Sequence, residues 1–215
     1  MVSLDPFYPI VPDTAWLERL LSQGIKLVQL RIKDAAPSVL ELEISRALEL
    51  CHSYDCQLVV NDYWREAIAA GADFVHLGQE DLKAADLPSI RQAGMRIGIS
   101  THSEDELATA LRADPDYVAL GPIYPTTLKA MLWAPQGLER ITQWRARIAC
   151  PLVAIGGITL KSVVSVLAAN ADSAAVITDI VTSEDPDRQT QNWLRATQPW
   201  RDLSTGRVKP GGGIK

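Results

Sequence analysis

Leu152-Val153-Ala154-Ile155-Gly156-Gly157-Ile158 decides how this chain is read: four apolar residues in succession, then a pair of glycines. A short run that is apolar at every position, not at alternate ones, is the pattern of a strand buried on both faces. Seven other short stretches come close to it, being mostly apolar. They are Tyr8-Pro9-Ile10-Val11, Leu27-Val28-Gln29-Leu30, Leu58-Val59-Val60, Phe74-Val75-His76-Leu77, Arg96-Ile97-Gly98-Ile99, Tyr117-Val118-Ala119-Leu120 and Ala174-Ala175-Val176-Ile177. Each ends in polar or glycine residues, and most are followed by a helix-like stretch. Buried strands alternating with helices predict a parallel sheet covered by helices, and eight such units predict a closed (β/α)8 barrel of the TIM type. In that fold the chemistry sits where the strands end, so the residues just after each run are the candidates for function.

The intervening segments carry helix signals. A first helix is expected from Thr14 to about Gln23, capped by Asp13 or Thr14 and stopped by Gly24. Others are expected at about Ser38–Tyr54, from after Asn61-Asp62 to Gly71, at Leu87–Ala93, from Ser103 (with Glu106 completing a capping-box pattern), at Leu138–Ile148, Leu160–Ala169 and Asp187–Ala196. Gly121 to Gly137 contains Pro122, Pro125 and Pro135 and reads as a long loop, of the kind that often serves as a functional lid. Residues 1–200 are expected to form one catalytic barrel domain. Residues 201–215, with Pro210-Gly211-Gly212-Gly213, read as a flexible tail.

Size and composition are consistent with this. The chain has 215 residues, of which 47% are hydrophobic and 22% charged, enough apolar material for one sizeable core and not for two. A formal net charge of −5 argues against a nucleic-acid or membrane-surface binder. No apolar stretch approaches the ~20 residues of a membrane helix. The N-terminal residues lack the basic-then-apolar order of a secretory signal. Three cysteines, Cys51, Cys56 and Cys150, form no tight framework and suit a reducing compartment. Cys51, His52 and Cys56 lack a matching second pair and are read as structural, not as metal ligands. A cytoplasmic location is expected; a homo-oligomer is left open.

The strand ends supply the chemistry. Alternation places Gln29, Arg31 and Lys33 on one face of the second strand, where two cations and an amide suit a phosphate or diphosphate. Asp34 could equally neutralise Lys33 on a solvated end. Asp62 and Asp81 follow neighbouring strands and could approach each other to hold Mg²⁺, which takes one or two carboxylates plus substrate oxygens. Alternatively Asp62 caps the next helix and Asp81 sits on a solvated loop, with Gln79 or Glu80 supplying the ligand. His76, inside an apolar run, reads as a satisfied core histidine rather than a general base. Ser100, Thr101 and His102 could position an anion or cap a helix. Lys129, in the long loop, can deliver a point charge to a developing anion. Gly156-Gly157 and the end of the eighth strand form the place where barrels often bind phosphate through backbone N–H groups. Two anion sites on one mouth favour joining two phosphorylated substrates, with one diphosphate leaving.

In this order, Val28-Gln29-Leu30-Arg31-Ile32-Lys33, Val60-Asn61-Asp62-Tyr63-Trp64-Arg65, Val75-His76-Leu77-Gly78-Gln79-Glu80-Asp81, Gly98-Ile99-Ser100-Thr101-His102, Leu120-Gly121-Pro122-Ile123-Tyr124-Pro125-Thr126 and Val153-Ala154-Ile155-Gly156-Gly157-Ile158 resemble the thiamine phosphate synthase family. The resemblance covers about Tyr8 to Ala196. It implies a transferase that couples hydroxymethylpyrimidine diphosphate to thiazole phosphate, releasing diphosphate in a dissociative, Mg²⁺-assisted step. By position it implies that Gln29, Leu30, Arg31, Ile32, Lys33, Asn61, Ser100 and Lys129 bind the pyrimidine diphosphate. Lys129, Arg31, Lys33 and Ser100 act on the leaving group, and Asp62 and Asp81 bind Mg²⁺. Thr126, Thr127, Leu128, Gly157, Ile177 and Thr178 bind the thiazole phosphate. Its partners are small molecules, without nucleic acid or membrane.

Two places depart from the family pattern. Pro125-Thr126-Thr127-Leu128-Lys129 stands where Pro-Thr-x-Thr-Lys is usual, so Leu128 lacks a hydroxyl. Thr178-Asp179 stands where Ser-Ala is usual, so Asp179 brings negative charge near a phosphate. Two rival readings follow: a regulatory barrel that binds the pyrimidine without turnover, or a thiazole tautomerase, which has no need of the diphosphate and Mg²⁺ residues.

Overall fold

The structure is a computed structural model that describes residues 4–126 and 133–204, with the backbone alone for residues 203 and 204. Eight strands close into a barrel in sequential order, each parallel to its neighbours: β1 (Phe7–Val11), β2 (Leu27–Leu30), β3 (Gln57–Asn61), β4 (Phe74–Leu77), β5 (Arg96–Thr101), β6 (Tyr117–Leu120), β7 (Leu152–Ile155) and β8 (Ser173–Val176). Closure is made where Phe7, Tyr8 and Pro9 of β1 pair with Ala174, Ala175 and Val176 of β8. Pro9 lacks a ladder donor, yet the register holds because a closed barrel buries both faces of every strand. All eight apolar runs are strands.

The helices are α1 (Thr14–Leu21), α2 (Pro37–Ser53), α3 (Trp64–Ala70), α4 (Gln79–Ala84), α5 (Leu87–Gln92), α6 (Glu104–Arg112), α7 (Gly137–Arg145), α8 (Val163–Ala168), α9 (Thr178–Val181) and α10 (Pro186–Ser204). The end signals act as expected. Asp13 caps α1 by accepting from the Trp16 N–H, and Ser103 caps α6 by accepting from the Glu106 N–H. The capping box is offset by one residue, because the Glu106 carboxylate takes the N–H of His102, not that of Ser103.

Two short helices, α4 and α9, arise directly from strand ends that read as loops. The last helix runs to Ser204, eight residues beyond its expected end and four into the segment read as a tail. Pro199 argues for an early stop, since its ring removes a helix hydrogen bond. The helix continues because its far end is anchored: Arg201 makes a two-bond ion pair with Asp5, at 2.6 and 2.7 Å, just before β1. Trp200 also packs against the core. Residues 205–215 lie outside the described residues.

Apolar side chains form two bodies. One fills the space between strands and helices and contains Leu17, Leu20, Val28, Leu30, Trp144 and Trp193. The other fills the barrel interior with Tyr8, Ile10, Leu27, Val59, Phe74, Tyr117, Ala119, Val153 and Ala175. Alternation along β2 shows the division: Leu27 points inward, Val28 and Leu30 outward to the helices. The interior is thus plugged below, and at the C-terminal rim its polar residues meet a cavity. No described helix is long and apolar enough to cross a membrane.

Candidate active site

That cavity, of about 480 Å³, opens at the C-terminal ends of the strands. Its walls hold Arg31, Asn61, Asp62, Asp81 and Ser100 on one side and Gly156, Gly157, Ile177 and Thr178 on the other, with Thr126 and Trp133 at its edge. The structure therefore brings together nine residues expected at the site: Arg31, Asn61, Asp62, Asp81, Ser100, Thr126, Gly157, Ile177 and Thr178.

Asp62 and Asp81 meet. Asp62 follows β3 with φ +64°, a left-handed conformation that aspartate tolerates better than most residues, while its N–H donates to the His76 carbonyl. It does not cap α3, whose N-cap is Tyr63 without a side-chain bond. Asp81 lies in the first turn of α4, not in a solvated loop. A Cβ on Gly78 would stand 2.9 Å from Asp81 Oδ2, so glycine leaves room for the carboxylate to fold back over the helix start. Burial, the Asp81 charge and a hydrogen bond to Asp81 push the Asp62 carboxyl up to about 6, against the opposing pull of Arg31 and Asn61. Two carboxylates sharing a site in this way are short of positive charge, which suits a divalent cation bound with substrate oxygens. Among the described residues no cluster of three metal-ligating side chains occurs. The pair is thus compatible with Mg²⁺ and lacks the ligand set of a protein-enclosed metal centre. Glu80 pairs with Lys83, and the Gln79 amide donates to the Ser100 carbonyl.

The second strand departs from expectation. Arg31 reaches the cavity, but Gln29, Leu30, Ile32 and Lys33 do not line it. Gln29 is buried deeper and donates to the Tyr8 hydroxyl, Leu30 faces the helices, and Ile32 packs at the edge of the outer core. Lys33 is exposed. Alternation predicts a shared face only while the strand lasts; β2 ends at Leu30, and Asp34 turns the chain with φ +53°. Thr101 also faces away, its hydroxyl donating to the Ala119 carbonyl. Thr127, Leu128 and Lys129 lie outside the described residues.

The opposite wall is built by two interlocked loops. Gly156 and Gly157 adopt φ +96° and +66°. A Cβ on Gly157 would fall 2.5 Å from the Pro125 carbonyl oxygen, and one on Gly156 2.7 Å from Pro122. The Ile123 and Tyr124 N–H groups donate to the Ile155 and Gly156 carbonyls. Both glycines are required by conformation and by close approach. Asp179 turns away from the cavity: its Oδ2 accepts from the Leu160 N–H (3.0 Å), Gln189 Nε2 (2.7 Å) and Trp193 Nε1 (2.7 Å). The extra charge is thus spent on tying α9 to α10 and to the loop after β7.

Beneath the mouth runs a buried polar chain. Gln29 Nε2 donates to the Tyr8 hydroxyl (3.1 Å), which meets the Tyr117 hydroxyl (3.1 Å), then His76 Nδ1 (2.7 Å), and His76 Nε2 meets Ser100 Oγ (2.8 Å). Burial, then Arg31, lowers the His76 pKa to about 4, so the ring is neutral and satisfied. Sequence reading missed Tyr8 and Tyr117. Their signal is a hydroxyl-bearing aromatic inside an apolar strand, with Gly98 beside Tyr117 in the paired strand. It also missed Glu106, which holds the His102 ring (2.8 Å), and Trp133, stacked on that ring with planes 7° apart.

A closed (β/α)8 barrel whose rim sets paired carboxylates and an arginine against a glycine-built wall defines a barrel enzyme with a polar pocket for small molecules. The family model for thiamine monophosphate synthase matches residues 7–180. A thiamine-phosphate synthase of Rhizobium etli is 59% identical over 201 residues, covering 93% of this chain and 98% of that protein. Another, of Enterobacter sp. (strain 638), is 48% identical over 179 residues, covering 83% and 85%. A solved structure of thiamine phosphate pyrophosphorylase from Pyrococcus furiosus superposes with a TM-score of 0.80 at 27% identity, covering 91% of this chain and 96% of that one. The chain belongs to the thiamine monophosphate synthase family.

Proposed function

We propose that the protein is a thiamine phosphate synthase, joining hydroxymethylpyrimidine diphosphate to thiazole phosphate. The observation that carries this reading is the meeting of Asp62 and Asp81 beside Arg31, across one cavity from Gly157 and Thr178. Asp62 and Asp81 would hold Mg²⁺, which when bound neutralises charge on the diphosphate and makes it a better leaving group.

The chain's own groups act around the bond that breaks. Arg31 and Ser100 hold the diphosphate as the carbon–oxygen bond to the pyrimidine methylene cleaves and its electron pair departs with the leaving group. Lys129 is assigned to the same task by its position in the sequence. The thiazole nitrogen then gives its lone pair to the methylene carbon. That nitrogen carries no hydrogen, so a thiazolium forms and no general base is needed. Gly157, Ile177, Thr178 and Thr126 hold the thiazole phosphate, fixing the nitrogen against the carbon and lowering the barrier through proximity. His76, neutral and doubly hydrogen-bonded, is not a base in this scheme.

The tautomerase reading leaves the carboxylate pair unexplained. The regulatory reading loses the support of Asp179, which points away. The test is to mix the protein with both phosphorylated substrates and Mg²⁺ and to measure thiamine phosphate by chromatography and mass spectrometry. Formation dependent on both substrates is expected; a thiazole isomer shift without coupling, or binding without product, rejects the proposal.

A further inference from the structure

We propose that the buried chain from Gln29 through Tyr8 and Tyr117 fixes His76 as the Nε2–H tautomer, leaving the Ser100 hydroxyl hydrogen as an obligate donor to an anionic group bound at the mouth. Tyr8, Tyr117 and His76 are then positioning residues for Ser100, a role distinct from packing. The ligand half of this inference rests on the diphosphate-binding reading above; the tautomer half does not.

The direction of the chain follows from counting hydrogens. Gln29 Nε2 can only donate, so the Tyr8 oxygen receives its hydrogen. Tyr8 must then place its own hydrogen, and its other described partner is the Tyr117 oxygen. Tyr117 in turn sends its hydrogen to His76 Nδ1. A ring that accepts at Nδ1 and is neutral carries its hydrogen on Nε2 and donates it to Ser100 Oγ. Ser100 has then used its oxygen as an acceptor, and its hydrogen is free to turn into the cavity that it lines. A hydroxyl that accepts one bond becomes a stronger donor of the next. The opposite direction would set the Tyr8 hydrogen against the Gln29 NH₂ group, two donors facing each other where Tyr8 is 1% and Gln29 3% exposed.

Packing locks the chain in place. The Tyr117 ring stacks on His76 (centroids 5.5 Å, planes 17° apart) and meets Tyr8 and Phe74 edge-on. It reaches this position across Gly98, where any Cβ would collide with the ring. No buried side-chain N or O atom among the described residues lacks a partner.

The test begins with ¹⁵N-labelled protein without ligands. A long-range ¹H–¹⁵N correlation spectrum reads the tautomer of each histidine, with His52→Gln and His102→Gln assigning the other two. His76 is expected to show a bare Nδ1 and a protonated Nε2, and Tyr117→Phe, which removes the donor to Nδ1, to convert this into a mixture. An Nδ1–H ring in the unaltered protein overturns the proposal, and so does a pattern unchanged by Tyr117→Phe.

Calorimetric titration with inorganic diphosphate and Mg²⁺ then tests Ser100. Tyr117→Phe and Ser100→Ala are each expected to weaken binding about tenfold, as for one bond to a charged group. The double variant should bind no more weakly than Ser100→Ala alone. Additive losses overturn the link. If the unaltered protein fails to bind diphosphate, both the ligand half and the functional reading fall, while the spectra still decide the tautomer.

Discussion

The ring of Tyr117 lies over Gly98 in the space that a Cβ would fill. These residues are register partners on neighbouring strands, so the side chain of one occupies the vacancy of the other. A methyl group at position 98 would force the ring off His76 and Tyr8, adding overpacking to the loss of two buried hydrogen bonds. Gly98→Ala is therefore expected to cost about 3 kcal/mol, a fall in Tm on the order of 6–12 °C by calorimetry. Adding Tyr117→Leu should restore part of the Tm without restoring diphosphate affinity, which separates the packing role of the ring from its polar one.

The Asp62–Asp81 pair predicts an exchange of activity for stability. The folded Asp62 carboxyl stands near 6, above its ordinary value of 3.8, so between these pH values the folded state holds more protons than the unfolded one. Stability is then fullest below about pH 4 and falls as pH rises through about 6. In metal-free buffer at pH 7.5, Asp62→Asn should raise stability on the order of 1 kcal/mol, a few degrees in Tm, with the charge partly screened by solvent. The gain should vanish at pH 4. The same variant should lose Mg²⁺-dependent turnover by at least about a hundredfold. A Tm gain independent of pH would show that the charge is not the cause.

Asp179 predicts the opposite balance. Three donors converge on one of its oxygens, joining α9, α10 and the loop after β7. Asp179→Ala should cost about 3 kcal/mol, with three buried or half-buried donors left unpaired. The wall at Ile177 and Thr178 should loosen with it. KM for thiazole phosphate should rise while that for the pyrimidine diphosphate stays within about twofold. Equal rises in both would place Asp179 in general stability alone.

Gly157→Ala tests the interlocked loops directly. The added Cβ meets the Pro125 carbonyl at a residue whose φ is +66°. Thiazole phosphate affinity should fall at least about tenfold while the circular dichroism of the barrel is retained.

Much of this was legible from the residues alone. Each strand was marked because a closed barrel buries both faces, and unbroken apolar runs such as Leu152–Ile155 are unlike any exposed element. The carboxylate pair was legible too, since Asp62 and Asp81 follow consecutive strands that a barrel makes neighbours. What escaped depends on contacts distant in sequence. Gln29 looked like a rim residue because alternation says which face a side chain takes but not how deep it sits. Lys33 looked like its companion because nothing local shows where a strand stops. Tyr8 and Tyr117 looked like core aromatics, as their rings are; only the meeting of their hydroxyls, 109 residues apart, makes them polar. The continuation of α10 past Pro199 required Asp5, at the other end of the chain.

The two glycines after β7 carry a consequence for descent and engineering. Because the sixth and seventh rim segments are fitted backbone to backbone, neither can be exchanged alone: a graft of one from a distant barrel would arrive without its counterpart. Substrate preference on this half of the rim should therefore change by co-inherited pairs of segments.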